Sequence, residues 1–216
     1  MAIKLNLNPR RRILGRAKAR PISHSIVRDM IRGQLEHVTE NKLFTNTIGA
    51  TNATAAGVIT PLSQEIVQGD NLDARTGDKI VMKHLTLRLQ TTLNVALTTA
   101  TIRFILFADT MANGSVPVVG DVLSASTVTA SYQCIALLKN RFKILIDKTI
   151  PMVLGGSNQT VSTVAQFKLD MPVYYQNTNN VAGANSKNCL FALIITDAAA
   201  TPPIYSFTTQ HKYVDV

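Results

Sequence analysis

The sequence predicts an all-β fold: an eight-stranded antiparallel jelly roll behind a basic N-terminal arm and a short amphipathic helix. Three observations carry this. Apolar residues recur at every second position in about eight stretches beyond residue 40, and long polar loops separate them. Thr, Val and Ile abound, there is no Trp, and no repeat of 20–50 residues is present. Helical spacing is confined to the first 38 residues. Eight strands with long connections favour a jelly roll. An immunoglobulin-like sandwich is disfavoured because the Cys…Trp…Cys framework is missing.

The charge divides the chain. Residues 1–32 hold Lys4, Arg10, Arg11, Arg12, Arg16, Lys18, Arg20, Arg28 and Arg32 against one acid, Asp29, which is +8 of a formal +9. Residues 1–38 therefore read as arm and helix, and 39–216 as a nearly neutral body. Asn8-Pro9 suits an N-cap followed by Pro at the first helical position, so 10–19 has helical potential until Pro21. Ile26, Val27, Met30, Ile31, Leu35 and Val38 recur at helical spacing, with Arg28, Asp29, Arg32 and Glu36 between them. With Ser23 or Ser25 as cap, this predicts a helix over 24–35.

In the body, Leu43–Ile48 predicts a short strand, and the small residues of 49–57 predict loop or edge. Ile66–Gln68 predicts another short strand before a turn-rich, acidic loop, Gly69–Lys79. Lys83–Asn94 alternates, with Leu85, Leu87 and Leu89 on one side. Thr101–Ala108 is apolar apart from Arg103, as a strand covered on both faces would be. Residues 111–120 predict a long loop, and Asp121–Ser126 a single helical turn. Phe142–Asp147, Ala165–Asp170, Leu190–Thr196 and Ile204–Val214 complete the strands, with a loop over 176–188.

Composition narrows the function. A body of about 175 residues buries roughly 70% of its unfolded surface in one core. At 46% hydrophobic and 16% charged over its whole length, the chain has apolar surface to bury between subunits. Cys134 and Cys189 lack any zinc spacing and read as thiols of a reducing compartment. No apolar run reaches membrane-spanning length. The N-terminus lacks a secretory core, although its basic, amphipathic character also suits an organelle-targeting segment.

No enzyme class finds support. His24, His37, His84 and His211 stand at no ligand spacing, and G-x-S-x-G, P-loop and G-x-G-x-x-G motifs are absent. Asn52, Asn113 and Asn158 match the glycosylation pattern as chance matches would. Asp70, Asp73 and Asp78 lie within nine residues. They read first as a solvated loop and second as part of a calcium ligand set. The arm has no aromatic residue before Phe44. It cannot stack bases, so its partner is read through phosphates, with strong salt dependence and little sequence preference.

Several stretches run in collinear order with one known family: Leu35-Glu36-His37, Thr51-Asn52-Ala53-Thr54-Ala55, Ile66-Val67-Gln68-Gly69-Asp70, Arg75-Thr76-Gly77-Asp78, Ile102-Arg103-Phe104-Ile105, Pro117 with Val122-Leu123, and 141–147. The chain resembles satellite tobacco necrosis virus-like coat proteins over residues 28–150, and again at Tyr213-Val214-Asp215. The resemblance implies an eight-stranded jelly roll and a T=1 shell of about sixty copies. It also implies an inner helix bundled in threes, and single-stranded RNA as partner, within a virion assembled in the host cytoplasm. It further implies Ca²⁺ between subunits. Asp70 would lie at a threefold axis. Main-chain oxygens of Thr76 and Lys79 would join Asp215, and Gly155 would offer a backbone oxygen at a fivefold axis. Two alternatives stand beside this reading: the capsid of a small single-stranded DNA virus, and a cellular jelly-roll binding module.

Overall fold

Period-two apolar spacing becomes strand in eight places. The computed structural model describes residues 24, 25, 27, 28, 30, 31, 40–111, 115–133, 141–176 and 187–216. The chain divides into two compact units, Met1–Val38 and Thr39–Val216. In the first, the described residues His24, Ser25, Val27, Arg28, Met30 and Ile31 are helical. Residues 26, 29 and 32–35 of the expected helix, and the whole candidate helix over 10–19, lie outside the described residues.

The second unit contains β1 (Asn41–Asn52), β2 (Val58–Pro61), β3 (Lys79–Thr92), β4 (Thr99–Asp109), a one-turn helix α1 (Val119–Val122), β5 (Phe142–Val153), β6 (Thr160–Tyr174), β7 (Cys189–Thr196) and β8 (Ile204–Asp215). Sheet 1 has the order β1-β8-β3-β6, and sheet 2 the order β2-β7-β4-β5. All pairs are antiparallel. The pairs β1 with β8, β2 with β7, β3 with β6 and β4 with β5 form one long nested hairpin, whose successive rungs fall alternately into the two sheets. That is the jelly roll.

The two inner faces enclose one core. Ile80, Met82, Leu85, Leu87 and Leu89 of β3 point into it. Their parity changes at Lys83, because both ladders of β3 shift register between Met82 and His84. The bulge keeps Met82 and Leu85 inside and turns His84 out. Asp170, with φ of +46°, sits opposite the bulge and accepts a 2.7 Å ion pair from Lys83 Nζ. Phe104 of β4 meets Phe207 of β8 edge-on at 6.2 Å, tying the sheets together.

Sheet 2 is covered on both sides. All of β7 and nearly all of β4 is buried. Segment 115–133 supplies the outer cover. Arg103 donates to the carbonyls of Val128 and Ala130, and a Cβ at Gly57 would meet Val119 at 3.0 Å and Leu193 at 3.3 Å. This explains why Thr101–Ala108 reads as a continuous apolar run.

Four elements differ from the sequence expectations. Ile66–Gln68 is not a strand; its one bridge, Gln68 to Arg75, closes the 66–78 loop on itself. The missing strand is β2, whose Pro61 is tolerated because β2 lies at the edge of sheet 2. β1 is longer than the expected 43–48: it continues through Gly49–Asn52 by way of a register shift between Ile48 and Thr51, so the small residues there form a bulged edge strand, the edge alternative of the expectation for 49–57. The helical turn starts earlier, at Val119, because the Asp121 carboxylate accepts the Val118 amide at 3.1 Å and caps it.

Candidate nucleic-acid and cation sites

Of the nine arm cations, Arg28 alone is described. It is exposed on the helix. Lys4, Arg10, Arg11, Arg12, Arg16, Lys18, Arg20 and Arg32 lie outside the described residues. Val27, Met30 and Ile31 share one helix face by their spacing and are exposed, Met30 to 64%. A stripe of this kind is stable when another surface covers it.

A second cationic surface was not legible from composition. Strand register puts Lys212 of β8 and Lys168 of β6 on either side of His84 of β3. All three are exposed on the outward face of sheet 1. Neighbouring strands lie about 4.8 Å apart, so the row is compact. Arg88, two pairs along β3, adds a fourth exposed base. No ion pair among the described residues involves Lys168, Lys212 or Arg88. The rest of this face is largely Thr, Ser and Gln (Thr86, Gln90, Gln166, Ser206, Thr208, Gln210). Such a face offers hydrogen bonds and positive charge, with Asp170 already engaged by Lys83.

The 66–78 loop is held from inside by Arg75, which is 1% exposed. Its guanidinium donates to the carbonyls of Ile66 and Gly77 and to Asp78 Oδ1 at 3.1 Å. The loop also bonds across itself, Gly69 N to Arg75 O at 2.9 Å and Arg75 N to Val67 O at 2.9 Å. A fixed loop thus presents Asp70 and Asp73 to solvent.

Calcium takes about six to eight oxygens. Among the described residues no three His, Cys, Asp or Glu side chains cluster to hold a metal. Asp70 offers one exposed carboxylate per copy, so a site there requires several copies around an axis. Gly155 lies exposed in the β5–β6 turn with φ of +70°. Lys79 opens β3, and its ammonium lies 5.9 Å over the Tyr174 ring.

The structure does bring Thr76 and Asp215 together. The Thr76 amide and hydroxyl both donate to Asp215 Oδ2, at 3.2 and 3.0 Å. A third residue stands in their midst. Lys42 Nζ lies 2.9 Å from Asp215 Oδ2, 2.9 Å from Ala74 O and 3.1 Å from Thr76 Oγ1. Lys42 is 3% exposed. These oxygens therefore do not fit a divalent ion as they stand, because an ammonium already holds them.

Two further ion pairs brace the cover of sheet 2. Arg103 grips Asp147 with two hydrogen bonds, 2.9 and 2.6 Å, and this holds the Asp147 carboxyl below its usual range. Tyr132 donates to the same carboxylate, and burial pushes its phenol up to about 12. Arg141, just before β5, and Asp109 at the end of β4 form a buried pair at 2.7 Å. His211 is fully buried, 3.0 Å from Thr209 Oγ1 and 5.9 Å from the Phe44 ring. Burial lowers its pKa to about 3.

The profile of the family described as satellite tobacco necrosis virus coat protein matches residues 12–216. A coat protein of maize white line mosaic satellite virus is 29% identical over 217 residues, covering 100% of both chains. A coat protein of satellite tobacco necrosis virus 2 is 30% identical over 191 residues, 88% of this chain and 93% of that one. A capsid protein of satellite tobacco necrosis virus 1 is 34% identical over 176 residues, 80% of this chain and 84% of that one. With nearly the whole length matched, and a jelly roll beneath it, the chain belongs to the satellite tobacco necrosis virus coat protein family.

Proposed function

We propose that this viral coat protein assembles about sixty copies into a T=1 shell and encloses single-stranded RNA with its basic arm. Its role is structural and not enzymatic, as in its family. The observation that carries the reading is the segregation of charge: residues 1–32 hold +8 of the formal +9, and the body is almost neutral. Sixty such arms would gather roughly 480 positive charges in one interior, enough to neutralise a matching number of phosphates. The exposed Val27, Met30 and Ile31 stripe supports helix bundling against other copies. The row of Lys212, His84 and Lys168, with Arg88, supports a second phosphate contact on sheet 1. Shell formation belongs to the virion, with assembly in the host cytoplasm.

Calcium between copies enters this reading at Asp70, where symmetry would bring several carboxylates together, with the Gly155 carbonyl as a second position. The test is purification of particles from cells expressing the full chain, followed by microscopy and sequencing of the nuclease-protected contents. Spherical particles with protected RNA are the expected result. Protected DNA favours a DNA-virus capsid, and a monomer without nucleic acid favours a binding module; either outcome overturns the proposal.

A further inference from the structure

Lys42 is the fourth residue past the arm, and β1 pairs it in register with Tyr213 of β8. The pairing turns its side chain inward, two residues from Asp215. There Nζ meets three oxygens from two other parts of the chain: Asp215 Oδ2 of β8, and Ala74 O and Thr76 Oγ1 of the 66–78 loop. An ammonium has three N–H donors, and the cage uses them all. The cage is also stiff. Buried Arg75 anchors the loop from one side, and Gln68 Nε2 donates to Thr76 O at 3.0 Å from the other. The second carboxylate oxygen, Asp215 Oδ1, is buried and has no hydrogen-bond partner. Around Nζ there are thus an anionic carboxylate with one uncommitted oxygen, a hydroxyl and a carbonyl. Those are the donors that hard cations choose.

We propose that Lys42 is a built-in cation. Its ammonium neutralises Asp215 and welds the root of the arm, the 66–78 loop and the last strand without metal. Removing the ammonium would expose the same oxygens to a divalent cation of the calcium class, with water completing the shell. This inference stands independently of RNA packaging and of calcium at Asp70.

The test uses the full-length protein carrying Asp70→Asn, so that calcium at Asp70 cannot contribute. Terbium replaces calcium, and its luminescence is sensitised by neighbouring tyrosines such as Tyr213. The Asp70→Asn protein is expected to show no terbium signal that depends on Asp215. Adding Lys42→Ala should create a terbium signal that calcium displaces, and calcium should raise the melting temperature of this variant by several degrees. Adding Asp215→Asn to it should abolish both gains. An Asp215-dependent signal with Lys42 present overturns the proposal, as does a folded Lys42→Ala protein that gains neither property. If Lys42→Ala folds only in calcium, the proposal is supported; if it folds in neither condition, the role of Lys42 is packing and the proposal falls.

Discussion

Arg75 stacks on Tyr175, with its guanidinium carbon 4.2 Å from the ring centroid, and both side chains are buried. The contact binds the 66–78 loop to the residue that follows β6. Truncating Arg75 would strand the carbonyls of Ile66 and Gly77 and remove the cation–π contact. Arg75→Ala should lower stability by about 2–4 kcal/mol. Asp78 is 73% exposed in its ion pair with Arg75, so Asp78→Ala should cost under about 1 kcal/mol. Urea titration of both variants checks the contrast; equal losses would mean that the ion pair, and not the buried carbonyl bonds, fixes the loop.

Acid should weaken the fold through His211. Its folded pKa, about 3, lies below the ordinary value of 6.5. The unfolded chain therefore binds the extra proton between those values. The stability of the neutral form is fully present above 6.5 and is lost as pH falls toward 3, by up to about 1.4 kcal/mol per pH unit. His211→Leu should flatten the dependence of urea midpoint on pH between about 6 and 4. An unchanged slope would place the acid sensitivity elsewhere.

Asp147 works in a lower window. The Arg103 guanidinium depresses its pKa, so its contribution is present above the ordinary carboxyl pKa and disappears as pH falls below it. Asp147→Asn should cost about 1–3 kcal/mol at neutral pH, because Arg103 and Tyr132 both lose a charged acceptor. Proteolysis of segment 115–133 should also speed up, since Arg103 tethers it through Val128 and Ala130. Cleavage at the wild-type rate would contradict that tether.

The two phosphate surfaces should separate by salt. Each cation that neutralises a single-stranded phosphate contributes about 0.7 to the slope of log affinity against log salt. Deleting residues 1–20 removes Lys4, Arg10, Arg11, Arg12, Arg16, Lys18 and Arg20, and should reduce the slope by up to about 5 and leave particles largely empty of RNA. Lys168→Ala with Lys212→Ala should reduce it by about 1.4. Filter binding over a salt series measures both; a slope indifferent to the sheet substitutions would remove sheet 1 from the interface.

Chelation tests calcium at Asp70. Particles treated with a chelator at mildly alkaline pH should swell, because carboxylates gathered at an axis would repel one another. Asp70→Asn particles should keep their sedimentation coefficient under the same treatment. Wild-type particles that do not respond would argue against the site.

Most of the fold was legible because alternation survives wherever one face is buried, as in Leu85, Leu87 and Leu89. Thr101–Ala108 announced its two-sided burial by losing alternation. Val58–Pro61 stayed hidden because four residues are too few to show a period, and because Pro is ordinarily read against a strand. Ile66 misled because its side chain fills the core from a loop. Asp70 stands out in an acidic loop, whereas Thr76 and Asp215 are named only through the family resemblance. Lys42 has neither signal: it meets Thr76 across 34 positions, and a lone lysine at the start of a strand carries no sign of its partner. His84 looked bland for the same reason, since its two lysine neighbours come from strands 84 and 128 positions further along.

The nested hairpin also sets a timetable. β1 can be completed only by β8, the last strand to be made. At about 5–20 residues per second, the first strand waits on the order of ten seconds or more for its partner to be synthesised. β4 and β5, the innermost rung, can meet much sooner. If pairing follows synthesis, the sandwich would close from its middle outward, and the last seam to form would be β1 with β8, just past the arm.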